Sequence, residues 1–132
     1  MWKQAGLLIL RLGVAVVFLS FGLGKLFHPA DWILFVPSWL TGFLLHQKGL
    51  TVYVFLRVQG IIEIVIGVQL ALGVLTRLTA CAASLLLLLI VYSIGLDPIG
   101  IRDIGIFFSS IAIFILGPGE WSIDKGFKKF LT

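Results

Sequence analysis

Of the 132 residues, 60% are hydrophobic and 12% charged, and the mean hydropathy is +1.15, whereas a soluble domain keeps roughly a quarter of its residues charged. This composition excludes a cytosolic enzyme, a secreted disulfide scaffold and a disordered chain, and it predicts an integral membrane protein. The net charge of +4 comes from Lys and Arg placed singly between apolar runs, so they read as charges flanking membrane spans, and no nucleic acid is expected as a partner.

A helix crosses the hydrocarbon with about 20 mainly apolar residues, because its backbone polar groups must be satisfied internally. The first span is predicted over about residues 5–27. Its apolar run, Leu12–Gly24, is too short alone and crosses only with Arg11 and Lys25 inside the helix or at its edges. Arg11, Ala15, Phe18, Gly22 and Lys25 then share one face, with the two cations about 21 Å apart by helix rise. No small-x-small cleavage site follows, so no removable signal peptide is expected.

Residues 28–48 form a segment expected to lie in the interface or re-enter the bilayer. Trp32–Leu45 is uncharged but has only 14 residues and contains Pro37, too short and too broken to cross. Trp32, Phe35 and Trp39 recur there at helical spacing, as in an interfacial aromatic belt.

The second span, about 50–75, carries Glu63 near mid-membrane, where a charge costs about 2.5–3.5 kcal/mol and calls for a partner or a water-filled cavity. Gly60 and Gly67 share its face and let another helix approach closely, so Glu63 points into the bundle, with Gln59 extending the polar stripe. The third span, about 78–95, is uncharged. Cys81 reads as a packed small hydrophobe, Leu86 as lipid-facing, and Ala80, Ala82, Ala83 and Ser84 as a face on which another helix can dock. The fourth span, about 103–117, follows the turn signal Asp97-Pro98-Ile99-Gly100. Asp103 either favours the positive end of that helix or pairs with Lys25 or Arg57. The tail, 118–132, is expected to lie in the cytoplasmic interface, with Trp121 and Phe127 among headgroups and Lys125, Lys128 and Lys129 facing anionic lipid.

The predicted fold class is therefore all-α: one integral-membrane domain over residues 1–132, a four-helix bundle with an interfacial or re-entrant segment between helices 1 and 2. Lys3, Arg11, Arg77, Lys125, Lys128 and Lys129 fall on one side against Lys25, Lys48, Arg57 and Arg102 on the other, which places both termini in the cytoplasm.

The candidate polar pocket or ion-pair network comprises Arg11, Lys25, Arg57, Gln59, Glu63, Arg102 and Asp103. One reading makes Glu63 and Arg11 a structural ion pair, with Arg57 and Lys25 reaching the headgroups. Another makes the set a pocket for a quinone headgroup, a small anion or a proton path, and a third keeps Glu63 protonated with local hydrogen bonds. No metal or covalent cofactor is expected, because His28 and His46 stand alone and Cys81 is the single cysteine. No phosphate-binding loop or nucleophile set occurs, so no catalytic residue is assigned and redox chemistry falls to a cofactor or partner.

Leu10-Arg11-Leu12-Gly13, Phe21-Gly22-Leu23-Gly24-Lys25-Leu26, Glu63 ahead of Gly67-Val68-Gln69-Leu70-Ala71-Leu72-Gly73-Val74-Leu75-Thr76-Arg77, Arg102-Asp103-Ile104-Gly105 and Gly117-Pro118-Gly119-Glu120-Trp121-Ser122-Ile123-Asp124 together resemble the DoxX family of small membrane proteins. The resemblance covers about residues 8–124 and implies a four-helix bundle in a prokaryotic cytoplasmic membrane, with Arg11, Lys25, Glu63, Arg77, Arg102 and Asp103 matching the family's polar pattern. A related group, DoxD, belongs to thiosulfate:quinone oxidoreductase, and other relatives accompany membrane oxidoreductase complexes or act as assembly factors. The resemblance thus implies a subunit of a quinone-linked oxidoreductase or respiratory complex, with a bound quinone as its cofactor. The alternatives are a non-catalytic structural or assembly subunit and, behind it, a small-anion carrier motivated by Arg11, Lys25, Arg57 and Arg102. Expected partners are membrane lipid and other membrane or redox-complex subunits, or a second copy of the chain.

Overall fold

The computed structural model describes residues 1–45 and 52–131. Helix α1 (Trp2–Phe27) leads through a 3-10 helix (Pro29–Phe35) into α2 (Ser38–Leu45), followed by α3 (Val52–Leu72), α4 (Thr76–Ile94), α5 (Pro98–Leu116) and α6 (Ile123–Leu131). No strand occurs among the described residues. Helices α1, α3, α4 and α5 are long and apolar enough to cross a membrane, so the protein is an all-α, multi-pass membrane protein. His46, Lys48 and the predicted start of the second span at residue 50 lie outside the described residues.

Local chemistry explains where the elements stop. After α3, Gly73 (φ 73°) and Leu75 (φ 48°) take left-handed conformations, and this reversal ends α3 at Leu72, short of the predicted 75. Helix α5 begins at Pro98, five residues before the predicted start. Asp97 accepts a hydrogen bond from Gly100 N at 2.8 Å and Pro98 occupies the first turn, where its missing N–H costs nothing. Asp103 is consequently inside the helix, so its role is not that of a first-turn acid. Between α1 and α3, Pro37 ends the 3-10 segment and its carbonyl accepts from Leu40 N and Thr41 N, starting α2. The eight residues of α2 rise only about 12 Å.

The bundle is built from two antiparallel pairs. Helix α1 packs along α3 and α4 along α5, while contacts between the pairs are sparser. Glycine sets the first interface: a Cβ at Gly60 would lie 2.7 Å from the Gly22 carbonyl oxygen, and one at Gly67 would lie 2.7 Å from Leu19 Cγ and 3.1 Å from the Ala15 carbonyl oxygen. Val14, Ala15, Phe18, Ile66, Leu70, Ala80, Ala83, Leu87 and Ile113 form the core. Ala80, Ala83 and Ser84 are buried within the chain, and Ser84 donates to the Ala80 carbonyl at 2.8 Å. The small-residue face of the third span therefore serves this bundle and leaves Ala82 alone exposed among the four. The outward leucines, Leu85, Leu88 and Leu89, present the apolar surface that lipid tails solvate as readily as another helix would.

A polar clamp closes one end. Arg11, 2% exposed, donates to the carbonyl oxygens of Pro118 (2.5 Å), Trp121 (2.7 Å) and Ala71 (3.4 Å). The Asp124 carboxylate accepts from Leu75 N at 2.7 Å and Thr76 N at 2.8 Å, and Asp124 N donates to the Gly73 carbonyl. An acid thus sits at the positive end of α4, and the segment after α5 is fastened to α1 and to the α3–α4 turn.

Candidate functional site

Side chains on a helix lean toward its N-terminus. In the antiparallel α1–α3 pair Lys25, close to the C-terminal end of α1, therefore leans toward mid-membrane, and Glu63 on α3 leans to meet it. Lys25 Nζ lies 2.6 Å from Glu63 Oε1, and the two side chains are 8% and 2% exposed. The same lean takes Arg11 away from mid-membrane, toward the carbonyls that it clamps. The predicted Glu63–Arg11 pair is thus replaced by Glu63–Lys25, and Lys25 does not reach for the headgroups. Glu63 Oε2 is buried with no hydrogen-bond partner among the described residues.

A cleft of about 460 Å³ opens beside this pair. Its polar lining is Lys25, Gln59, Ser93, Arg102 and Asp103, and its aromatic walls are Phe21, Trp32, Phe35, Trp39 and Phe55. Trp32 is held where Gly24 leaves room: a Cβ there would meet the indole Nε1 at 2.9 Å. Its ring stacks edge-on to Phe21 at 5.3 Å between centroids and lies 5.7 Å from Phe35. Lys25 Nζ is 5.2 Å from the Trp32 ring centre and the Arg102 guanidinium carbon 4.7 Å from that of Phe21, so two cations rest on aromatic faces. Asp103, 3% exposed, accepts from Arg102 at 3.1 Å.

Of the seven predicted site residues, Lys25, Gln59, Arg102 and Asp103 line this cleft, and Glu63 adjoins it through Lys25. Arg11 is at the opposite end of α1. Arg57 is exposed and outside the cleft, because it lies on the opposite side of α3 from the cleft-lining Phe55, Gln59 and Ile62. Asp103 pairs with its neighbour Arg102, not with Arg57. Leu86, expected to face lipid, lines the cleft. Sequence reasoning missed Ser93, the cleft role of Trp32 and Phe21, and the Asp124 cap. Asp97-Pro98 was a legible start signal for α5, whereas Ser93 sits in an apolar run without any pattern to mark it.

No curated protein and no solved structure matches the chain significantly. The DoxX family model matches residues 6–96, a stretch that contains most of α1, the 3-10 helix, α2, α3 and α4 with Lys25 and Glu63 inside it, and on that match the chain belongs to the DoxX family.

Proposed function

We propose that the chain is a membrane subunit of a quinone-linked oxidoreductase in a prokaryotic cytoplasmic membrane, with both termini cytoplasmic and the cleft in the outer half of the bilayer. The observation that carries this reading is a buried Lys25–Glu63 pair beside an aromatic-walled cleft. Membership of a family often associated with oxidoreductases supports it.

The residues fit a quinone headgroup, a flat ring with two carbonyl acceptors. Lys25, Arg102 and the Gln59 amide supply donors, Ser93 a hydroxyl, and Trp32 and Phe21 flat surfaces for the ring. When bound, the quinone supplies a two-electron, two-proton carrier, and a partner subunit supplies the electrons. Lys25 would orient a carbonyl oxygen and carry the proton between it and Glu63, whose Oε2 has no partner among the described residues, and Arg102 keeps Asp103 in place. Trp32, Phe35 and Trp39 exclude water. Less supports the competing readings: three of the four small residues offered for docking are buried inside the bundle, and two of the four cations invoked for an anion path lie away from the cleft.

The test is purification in mild detergent followed by solvent extraction and mass spectrometry. Stoichiometric quinone in the parent, lost in Lys25→Met and Glu63→Gln, supports the reading. A larger complex free of quinone overturns it in favour of a non-catalytic assembly subunit.

A further inference from the structure

The geometry points to lateral loading of this cleft: we propose that its occupant is a long-tailed amphiphile that arrives from the lipid between α3 and α4, its ring at Lys25 and its tail leaving through that gap. This deepens the quinone reading and rests on it.

The α3–α4 pair is joined tightly at one end only. The turn at 73–75 links them, and one helical turn further on Thr79 Oγ1 donates to Gln69 Oε1 at 3.0 Å. Continued along both helices, that antiparallel register sets Ile62 opposite Leu86, Gln59 opposite Leu89 and Phe55 opposite Ser93. All six of these residues line the cleft, so past the level of Ile62 the helices stand on either side of a space. On the α3–α4 side the mouth of the cleft opens to the lipid-facing surface, because Val58, Ile62 and Leu89 line it and are also about half exposed or more; Trp39 and Arg102, exposed as well, mark a second part of its rim.

Chemistry is sorted across the same space. Lys25 and Asp103, buried, and Arg102, half-exposed at the rim, come from α1 and α5, whereas α3 and α4 contribute Val58, Ile62, Leu86, Leu89 and Ile90 toward the lipid side, with Gln59 and Ser93 their polar exceptions. A ligand that satisfies both ends carries its polar atoms at one end and an apolar chain at the other. Volume sets the division: about 460 Å³ is in the lower part of the roughly 300–1,000 Å³ range of small-molecule sites, enough for a ring and the first part of a tail. The rest of a polyisoprenoid chain must lie outside, and an apolar chain outside this surface lies in lipid.

The experiment uses full-length protein in lipid nanodiscs and quenching of tryptophan fluorescence, for which Trp32 and Trp39 are local reporters. The ligands are a tail-less dimethoxy-methyl-benzoquinone and the same headgroup with a decyl chain. The variant Ile62→Phe/Leu89→Phe fills the mouth, and Val65→Phe adds the same bulk to α3 outside the cleft. The expected result is that the mouth variant binds the tail-less quinone as the parent does but the decyl quinone about tenfold more weakly, while Val65→Phe binds both like the parent. Equal binding of the decyl quinone by the mouth variant and the parent overturns lateral loading and leaves the headgroup site standing. Equal weakening of both ligands overturns it too, since the substitutions then act on the headgroup. No quenching of the parent by either quinone defeats the underlying reading as well.

Discussion

Glu63 lies 11 residues from Val52 and 9 from Leu72, roughly 16 and 14 Å from the ends of α3 by helix rise, so its carboxylate reaches neither interface. Lys25→Met removes its only ion-pair partner among the described residues. An uncompensated charge at this depth costs about 2.5–3.5 kcal/mol, and about 3 kcal/mol is expected for the variant. Glu63→Gln is milder. Lys25 is two residues from the end of α1 at Phe27, so once freed its stem can turn outward and carry the ammonium to the interface. A loss of about 1–3 kcal/mol follows, that of a buried polar group left poorly satisfied. The double variant Lys25→Met/Glu63→Gln removes both charges, and since a buried pair exchanged for neutral groups is often neutral or better, it should return to within about 1 kcal/mol of the parent. Chemical denaturation in a single detergent, run on all four proteins, measures the cycle. If the double variant loses the sum of the single losses, the two groups do not act as a pair and the assignment is wrong.

Gly60→Leu and Gly67→Leu should each lower stability by about 1–3 kcal/mol or more, since a Cβ already meets backbone or side-chain atoms there, whereas Gly105→Leu, with nothing within 4 Å, should not; thermal denaturation in detergent distinguishes them. Asp124→Ala should cost about 1–2 kcal/mol through loss of the α4 cap, read by the same denaturation, and a parent-like value would show that the segment after α5 is not fastened there. Reporter fusions after Thr132 and within the 28–50 segment should report opposite sides of the membrane. Both on one side would contradict the proposed topology.

The spans and the inward direction of Glu63 were legible because both rest on local, one-dimensional signals: the length of an apolar run and the spacing of Gly60 and Gly67 around an acid. The partner of Glu63 was not. Height along the axis left both Arg11 and Lys25 within conceivable reach, and the choice between them depends on the tilt of the Cα–Cβ bonds in an antiparallel pair, which sends Lys25 inward and Arg11 outward. The clamp was hidden for another reason. Arg11 Nη1 and Nη2 donate to backbone carbonyls of residues 71, 118 and 121, and carbonyls have no signature in a sequence. The cleft itself arises from the divergence of α3 and α4 beyond their turn, a property of helix packing and not of any run of residues.

The two ends of the bundle handle charge differently: one meets backbone groups, the other an opposite charge. At the Arg11 end the guanidinium and the Asp124 carboxylate bond backbone groups of three segments, with Arg11 Nε and Thr76 Oγ1 buried without a partner among the described residues, so the charge there holds α1, the turn and the tail together. Beside the cleft, Lys25 and Glu63 use one carboxylate oxygen and leave the other without a partner among the described residues. Lys25 is the link between the two environments: it lines the cleft and also bonds Glu63. Glu63 is on the face that packs against α1, sealed by Gly22 and Gly60, so a molecule in the cleft meets the carboxylate through the ammonium. Whatever changes the charge or hydrogen bonding of the occupant then changes the demand on Lys25, and through it the proton balance of Glu63. On the proposed reading, a site that exchanges protons with a membrane-soluble carrier uses both features side by side.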